Sequence, residues 1–144
     1  MFLMDSDHAS VLWFGRGKEL DNLRLRLSRH DEDDFSISII TVEEQLRGWL
    51  AYVAKARDQE GLIKGYQELK SVVLRHAVTP VTEYGMVAAE VFEDLRNQKI
   101  RIGTMDLQIA AIAIANDLVL LTRNTVDFNR VPNLQFEDWT KQQG

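Results

Sequence analysis

No cysteine occurs in the 144 residues, and that absence removes two classes of protein at once. Disulfide-stapled scaffolds need paired thiols, and thiolate metal sites need several of them. An excess of positive charge is missing too: 17 lysines and arginines stand against 22 acids, a net charge of −5. Such a chain has no general field for nucleic acid, so binding of that kind rests on a local basic patch or on captured cations. Long apolar runs are also lacking. The longest is broken by Asp106, Gln108, Asn116 and Asp117, which excludes a membrane-spanning helix in it. The opening MFLMDSDHAS has no basic segment, and its apolar run is too short for a signal peptide, so a cytoplasmic protein is expected. Repeats, linkers and low-complexity tracts are absent. What remains is 45% hydrophobic and 27% charged, an ordinary globular composition, and a single domain over residues 1–144 is expected.

The apolar residues follow strand and helix patterns in turn. Met1–Asp5 reads as a short strand ending on an acid, and Ser6–Phe14 as a helix that Ser6 or Asp7 can cap. A helix over Lys18–His30, an acidic loop over 31–34 and a strand through Phe35, Ile37 and Ile39 follow. Thr41–Arg57 and about Glu60–Arg75 carry helical stripes joined by a short polar turn, which predicts an antiparallel hairpin over about 42–75. Next come a brief strand at Ala77–Val81 and a helix from a Thr82 cap to about Gln98. Met105–Ala115 is apolar nearly all round, so a helix there needs cover on both faces. Leu118–Thr122 lacks polar alternation, as an interior strand does, and Leu134–Glu137 reads as an edge strand. Strands separated by helices predict an α/β sandwich, a mostly parallel central sheet flanked by helices.

Acids fall where these strands end. Asp5 closes the first, Glu44 opens the helix after the second, Asp106 opens the apolar helix, and Asn124 with Asp127 follows the interior strand. In parallel α/β sheets the ligand site lies outside the carboxyl ends of the strands, so four segments would bring oxygen ligands to one edge. Each residue also has a plainer reading. Glu44 can close a capping box with Thr41; Asp106 can complement a helix dipole, worth ~0.3–1 kcal/mol; Asp127 can be a turn residue. If the acids do converge, like charges ~4 Å apart repel by ~4 kcal/mol at an effective dielectric of 20. The cluster must then take up a proton or bind a cation. All-oxygen ligands favour Mg²⁺ or Mn²⁺, ions suited to phosphoryl chemistry.

Three stretches, FLMDSD, SIITVEEQLRGW and IGTMDLQIAAIAIANDLVLLTRNTVDFNRVPNLQFEDW, together resemble the PIN-domain ribonucleases, and most closely the VapC-type toxins of toxin–antitoxin pairs. The resemblance runs from the first residues almost to the last. It implies a PIN-like three-layer sandwich and an Mg²⁺-dependent endoribonuclease that leaves a 3′-hydroxyl and a 5′-phosphate, with Mn²⁺ able to substitute. The site positions it implies are Asp5, Glu44, Asp106 and Asn124, with Asp127 just beyond. Asp5 and Asp106 would hold the principal metal, and Glu44 and Asp127 are further candidate ligands. RNA as substrate, a cognate antitoxin docked on the hairpin, a homodimer, and contact with DNA only through the antitoxin are implied as well.

Two departures stand out. Asn124 occupies a position where many relatives have aspartate, which leaves the fourth site residue open between Asn124 and Asp127. Asp7 occupies one where relatives commonly have asparagine, and is either a further metal or water contact or a helix cap. Arg47, Arg123 and Arg130 are candidate phosphate contacts or else solvated, helix-pairing arginines. His8, His30 and His76 have no metal-ligand spacing, and Trp13, Trp49 and Trp139 read as core or interface residues. Two rival readings are a non-catalytic PIN-like binding module and a haloacid-dehalogenase-type phosphatase using Asp5 as nucleophile and Asp7 as acid. The second lacks a suitably placed lysine.

Overall fold

The computed structural model describes residues 1–143. Its centre is an all-parallel sheet of five short strands: β1 (Phe2–Met4), β2 (Phe35–Ser38), β3 (Val81–Thr82), β4 (Val119–Leu121) and β5 (Phe136–Glu137). The order across the sheet is β3-β2-β1-β4-β5. Leu3 of β1 pairs with Ser36 on one side and Leu120 on the other, so the first strand made is the middle of the sheet. Strand order therefore reverses between β1 and β4, and a crevice opens at such a switch point.

Parallel neighbours need crossovers, and helices fill them. α1 (Ser6–Phe14) and α2 (Gly17–Leu27) join β1 to β2, the latter preceded by a 3₁₀ turn at Glu32–Asp34. α3 (Ile39–Lys55) and α4 (Gln59–Ala77) join β2 to β3, and α5 (Met86–Asn97) and α6 (Thr104–Ala115) join β3 to β4. The single-turn α7 (Thr125–Phe128) joins β4 to β5. As expected of an all-round apolar helix, α6 is covered on two sides. Ile109 through Ala113 are inaccessible and pack with Leu3 and Leu120 of the sheet and with Ala88, Phe92 and Leu95 of α5. A separate cluster of Val11, Leu23, Leu121 and Trp139 includes residues of α1 and α2.

Several boundaries differ from those predicted. α4 continues to Ala77, because no breaker precedes Pro80 and Arg75 and His76 suit a helix C-terminus. The third strand is thereby displaced to Val81–Thr82. Thr82 thus lies in a strand and caps nothing; α5 starts behind Gly85 with no side-chain cap. Ile39 belongs to α3 rather than to β2, since Ser38 caps that helix by accepting the Thr41 N–H at 3.1 Å.

The hairpin of α3 and α4 closes tightly at Gly65, where a Cβ would stand 2.6 Å from Val53 Cγ2. Leu50, Tyr52, Ile63 and Tyr66 on these two helices are exposed. Among the described residues, no helix is long and apolar enough to cross a membrane.

Candidate active site

Every acid singled out in the sequence follows a strand or opens the next helix, so all lie toward the carboxyl edge of the sheet. Asp5 follows β1 directly and is 6% exposed. Its Oδ1 accepts the Ser6 N–H at 2.8 Å, so Asp5 itself caps α1, rather than Ser6 or Asp7. Its Oδ2 accepts the Thr122 hydroxyl at 2.9 Å. That bond joins the ends of β1 and β4 across the switch point.

Glu44 does not close a capping box with Thr41, the plainer of its two readings. Ser38 already holds the Thr41 amide, because the helix starts earlier than the local pattern suggested. The Glu44 carboxylate instead accepts the Ser6 hydroxyl, Oε2 to Oγ 3.2 Å, and so faces the Asp5 segment. Asp106 sits in the first turn of α6, where Gly103 offers no side-chain cap. Asn124 occupies the cap position of α7 without capping it; its Nδ2 donates to Asp127 Oδ2 at 3.0 Å, and its N–H to Thr122 Oγ1 at 3.1 Å. Asn124 and Asp127 are therefore one hydrogen-bonded unit.

Asp7 is not a helix cap. Its Oδ1 lies 2.7 Å from His8 Nδ1, and its Oδ2 accepts the Arg123 N–H at 2.9 Å. The three arginines have protein partners of their own: Arg47 with Glu43, Arg123 with Glu19, and Arg130 with the Arg101 carbonyl. The two ion pairs are exposed, and such pairs hold a side chain weakly. Sequence reading missed Ser6, Thr122 and His8 as parts of this site. For Thr122 a signal existed, a hydroxyl ending an otherwise apolar interior strand; for His8 there was none, because the Trp139 N–H that fixes its ring lies 131 positions away.

The electrostatics follow from this placement. Burial, then the neighbouring charge of Asp7, pushes the Asp5 carboxyl up to about 7, with Asp106 adding to the rise against the Thr122 and Ser6 hydrogen bonds. Burial and the charges of Asp127 and Asp7 raise Asp106. Glu44 is raised by burial, a rise that the Ser6 bond opposes and Asp106 reinforces. Asp7 goes the other way: burial pushes it up, but hydrogen bonds from His8 and the Arg123 amide outweigh that and lower it. Five carboxylates thus feel one another, and the nearby arginines are engaged elsewhere, apart from a 4.0 Å approach of Arg130 to Asp127.

An oxygen-rich, undercompensated donor set of this kind fits a hard divalent cation such as Mg²⁺ or Mn²⁺. Among the described residues no three acids or histidines already stand at coordination spacing. The fit therefore rests on the chemistry of the donors.

No family model matches the chain. "Ribonuclease VapC" of Rickettsia bellii is 43% identical over 53 residues, which are 37% of this chain and 40% of that protein. "Ribonuclease VapC1" of Haemophilus influenzae strain R2866 is 45% identical over 47 residues, 33% of this chain and 35% of that one. The chain thus spans at most 40% of the length of these curated relatives in the matched region. The likeness over the full length is structural. VapBC-1 from nontypeable Haemophilus influenzae superposes with a TM-score of 0.73 at 24% identity, covering 97% of this chain and 98% of that one. What the chain shares over its full length is the PIN-type fold. A toxin–antitoxin complex from Klebsiella pneumoniae shares that fold, with a TM-score of 0.65 at 25% identity over 93% of this chain and 95% of its own. Like VapBC-1, the chain carries the PIN-like sandwich read from its sequence, with a sheet parallel throughout.

Proposed function

We propose that this protein is the toxin of a toxin–antitoxin pair, an Mg²⁺-dependent endoribonuclease acting in the cytoplasm. One observation carries the reading: carboxylates from separate crossovers meet at the switch point of a VapC-like fold and raise one another's proton affinity. Asp5 and Asp106 would hold the principal Mg²⁺, with Asp127 a further ligand and Asn124 fixing its orientation. Bound there, the ion would supply Lewis acidity and charge neutralisation at a phosphodiester. Glu44, whose Oε2 accepts the Ser6 hydroxyl, would take a proton from the attacking water on its second oxygen. Arg123 and Arg130 flank the Asn124–Asp127 unit, and Arg47 lies one turn beyond Glu44. By exchanging their exposed partners for phosphate oxygens they would position RNA without reading its bases. A cognate antitoxin and a second copy of the chain are the proposed protein partners, and the exposed apolar face of the α3–α4 hairpin suits such contacts.

The test is cleavage of a mixed RNA substrate by the purified chain, paired with calorimetric titration of Mn²⁺. Cleavage is expected with Mg²⁺ or Mn²⁺ and none in excess chelator. A chain that binds no Mn²⁺ and cuts nothing is the binding module instead, and cleavage undiminished by chelator sinks the metal reading. The same titration has a pH signature. Because a cation must displace the proton that Asp5 holds below about 7, Mn²⁺ affinity should rise by about tenfold per pH unit from 5 to 7 and level off above. An affinity flat across that range would contradict Asp5 as a ligand.

A further inference from the structure

We propose that Asp7 is a positioning residue, locked as an acceptor by the buried His8 and the C-terminal segment, which sets the Thr122 hydroxyl on Asp5. This rests on Asp5 being an active-site acid. His8 is fully buried, and both ring nitrogens are engaged. Nε2 accepts the backbone N–H of Trp139 at 3.0 Å, and Nδ1 lies 2.7 Å from Asp7 Oδ1. A nitrogen that accepts carries no proton, so these partners assign the ring proton to Nδ1, aimed at Asp7. Asp138 Oδ1, 3.7 Å from Nε2, is too far for a hydrogen bond and already accepts the Thr140 amide and hydroxyl. The direction of the Trp139 N–H is held in place, since Asn22 of α2 also binds the Thr140 carbonyl at 3.0 Å.

The far side of Asp7 meets donors as well. Oδ2 accepts the Arg123 N–H at 2.9 Å and lies 3.3 Å from Thr122 Oγ1. Thr122 in turn accepts the Asn124 N–H and donates to Asp5. A chain of contacts therefore runs from Trp139 through His8 to Asp7 and, by the Arg123 N–H, to the 122–124 turn, whose Thr122 hydroxyl gives its one proton to the Asp5 carboxylate. Only a carboxylate satisfies its middle link. An asparagine at position 7 has one acceptor oxygen, so its amide NH₂ must face either His8 Nδ1–H or the Arg123 N–H, donor against donor. Moving the His8 proton to Nε2 relieves the first clash but turns that proton against the Trp139 N–H. The choice of histidine at position 8 thus dictates an acid at position 7. With both oxygens occupied by protein donors, Asp7 acts through Thr122 and the 122–124 turn.

The test is a cycle of Asp7→Asn, His8→Gln and the double variant. Glutamine can place its amide oxygen where Nε2 stands, keeping an acceptor for Trp139 while removing the donor that faces Asp7. Asp7→Asn is expected to lower kcat by about 10- to 100-fold with KM for RNA unchanged. His8→Gln should cost less, and the double variant should recover most of what Asp7→Asn lost. In metal-free melts the double variant should unfold above the temperature that the two single shifts predict when added. Wild-type kcat in Asp7→Asn, or a double variant no better than Asp7→Asn in both readouts, overturns the proposal. A lost ligand charge could not be restored from position 8. Should Asp7→Asn fail to fold, Thr122→Val carries the test, with the same kcat loss at unchanged KM expected and wild-type kcat overturning it. Failure of the functional reading looks different: Asp5→Asn would then keep its cleavage, or the wild type would have none, while the melting cycle still reports the His8–Asp7 coupling.

Discussion

Asp5→Asn is expected to stop RNA cleavage and, in metal-free buffer at pH 8, to make the protein more stable. Loss of one preorganised charge at a reaction centre reduces kcat by about 10²–10³-fold, and a lost metal ligand should do at least that. The stability gain follows from linkage. Asp5 is raised to about 7 in the fold, so its contribution to stability is fully present below the unfolded carboxylate value and is lost as pH rises through 7. A shift of this size corresponds to about 4 kcal/mol of penalty when the buried group is fully ionised. Asparagine removes the charge and keeps an oxygen for the Ser6 N–H, while its NH₂ can face Thr122 Oγ1. Allowing for relaxation, a gain of about 2–4 kcal/mol, or about 5–12 °C in Tm, is expected at pH 8. Near pH 4 the gain should vanish, because the wild-type carboxyl is then protonated too. Calorimetric melts of both proteins at the two pH values decide it; parallel melting curves would contradict an Asp5 held at high proton affinity by its surroundings.

Trp139→Ala should have the largest effect of any single truncation on stability. The indole is 2% exposed and packs against Phe2, His30 and Phe35, with centroids 4.7, 5.4 and 5.9 Å away. The Arg26 guanidinium lies 4.7 Å over the ring, and Nε1 donates to Glu137 at 2.6 Å. Emptying such a site costs about 3–5 kcal/mol, from lost transfer energy and from the cavity left behind. For a chain of this size that is a fall in Tm of about 10–15 °C. Denaturant titration gives the number directly, and a loss below about 1 kcal/mol would mean the ring is not the anchor its contacts imply. The backbone N–H beside this ring is the donor to His8. Loosening the anchor should therefore also weaken Mn²⁺ binding in whatever fraction stays folded.

The sequence announces β4 and α6 because continuous apolar patterns there can belong only to buried elements, and this makes Asp106 conspicuous at their entrance. Asp5 is legible for a similar reason, as the first acid after an apolar strand. Glu44 shows how a local signal misleads. Thr-x-x-Glu at 41–44 is a good capping box, but Ser38 stands one cap earlier and takes the same amide. Propensity alone does not rank two candidate caps three residues apart, whereas the end of β2 does. The Asp7–His8 link is illegible for a different reason. His8 finds Trp139 across 131 positions and Asp7 finds Arg123 across 116, and no local pattern encodes either pairing. Strand order belongs to the same class: β1 lies between β2 and β4 because of packing on both sheet faces, which no single segment reports.

The central place of β1 has a consequence for timing. The strand leaves the ribosome before the other four but has its second neighbour only when Val119–Leu121 arrives, and Asp5 meets Thr122 across 117 positions. Contacts of such long range form late, because the loop entropy of the intervening chain must be overcome before any pairing stabilises it. The nascent chain can build α3 and α4 locally while its acids are still scattered. During synthesis it would thus display the hairpin surface before its acids came together, and on the proposed function that leaves an interval in which a partner could dock ahead of any activity.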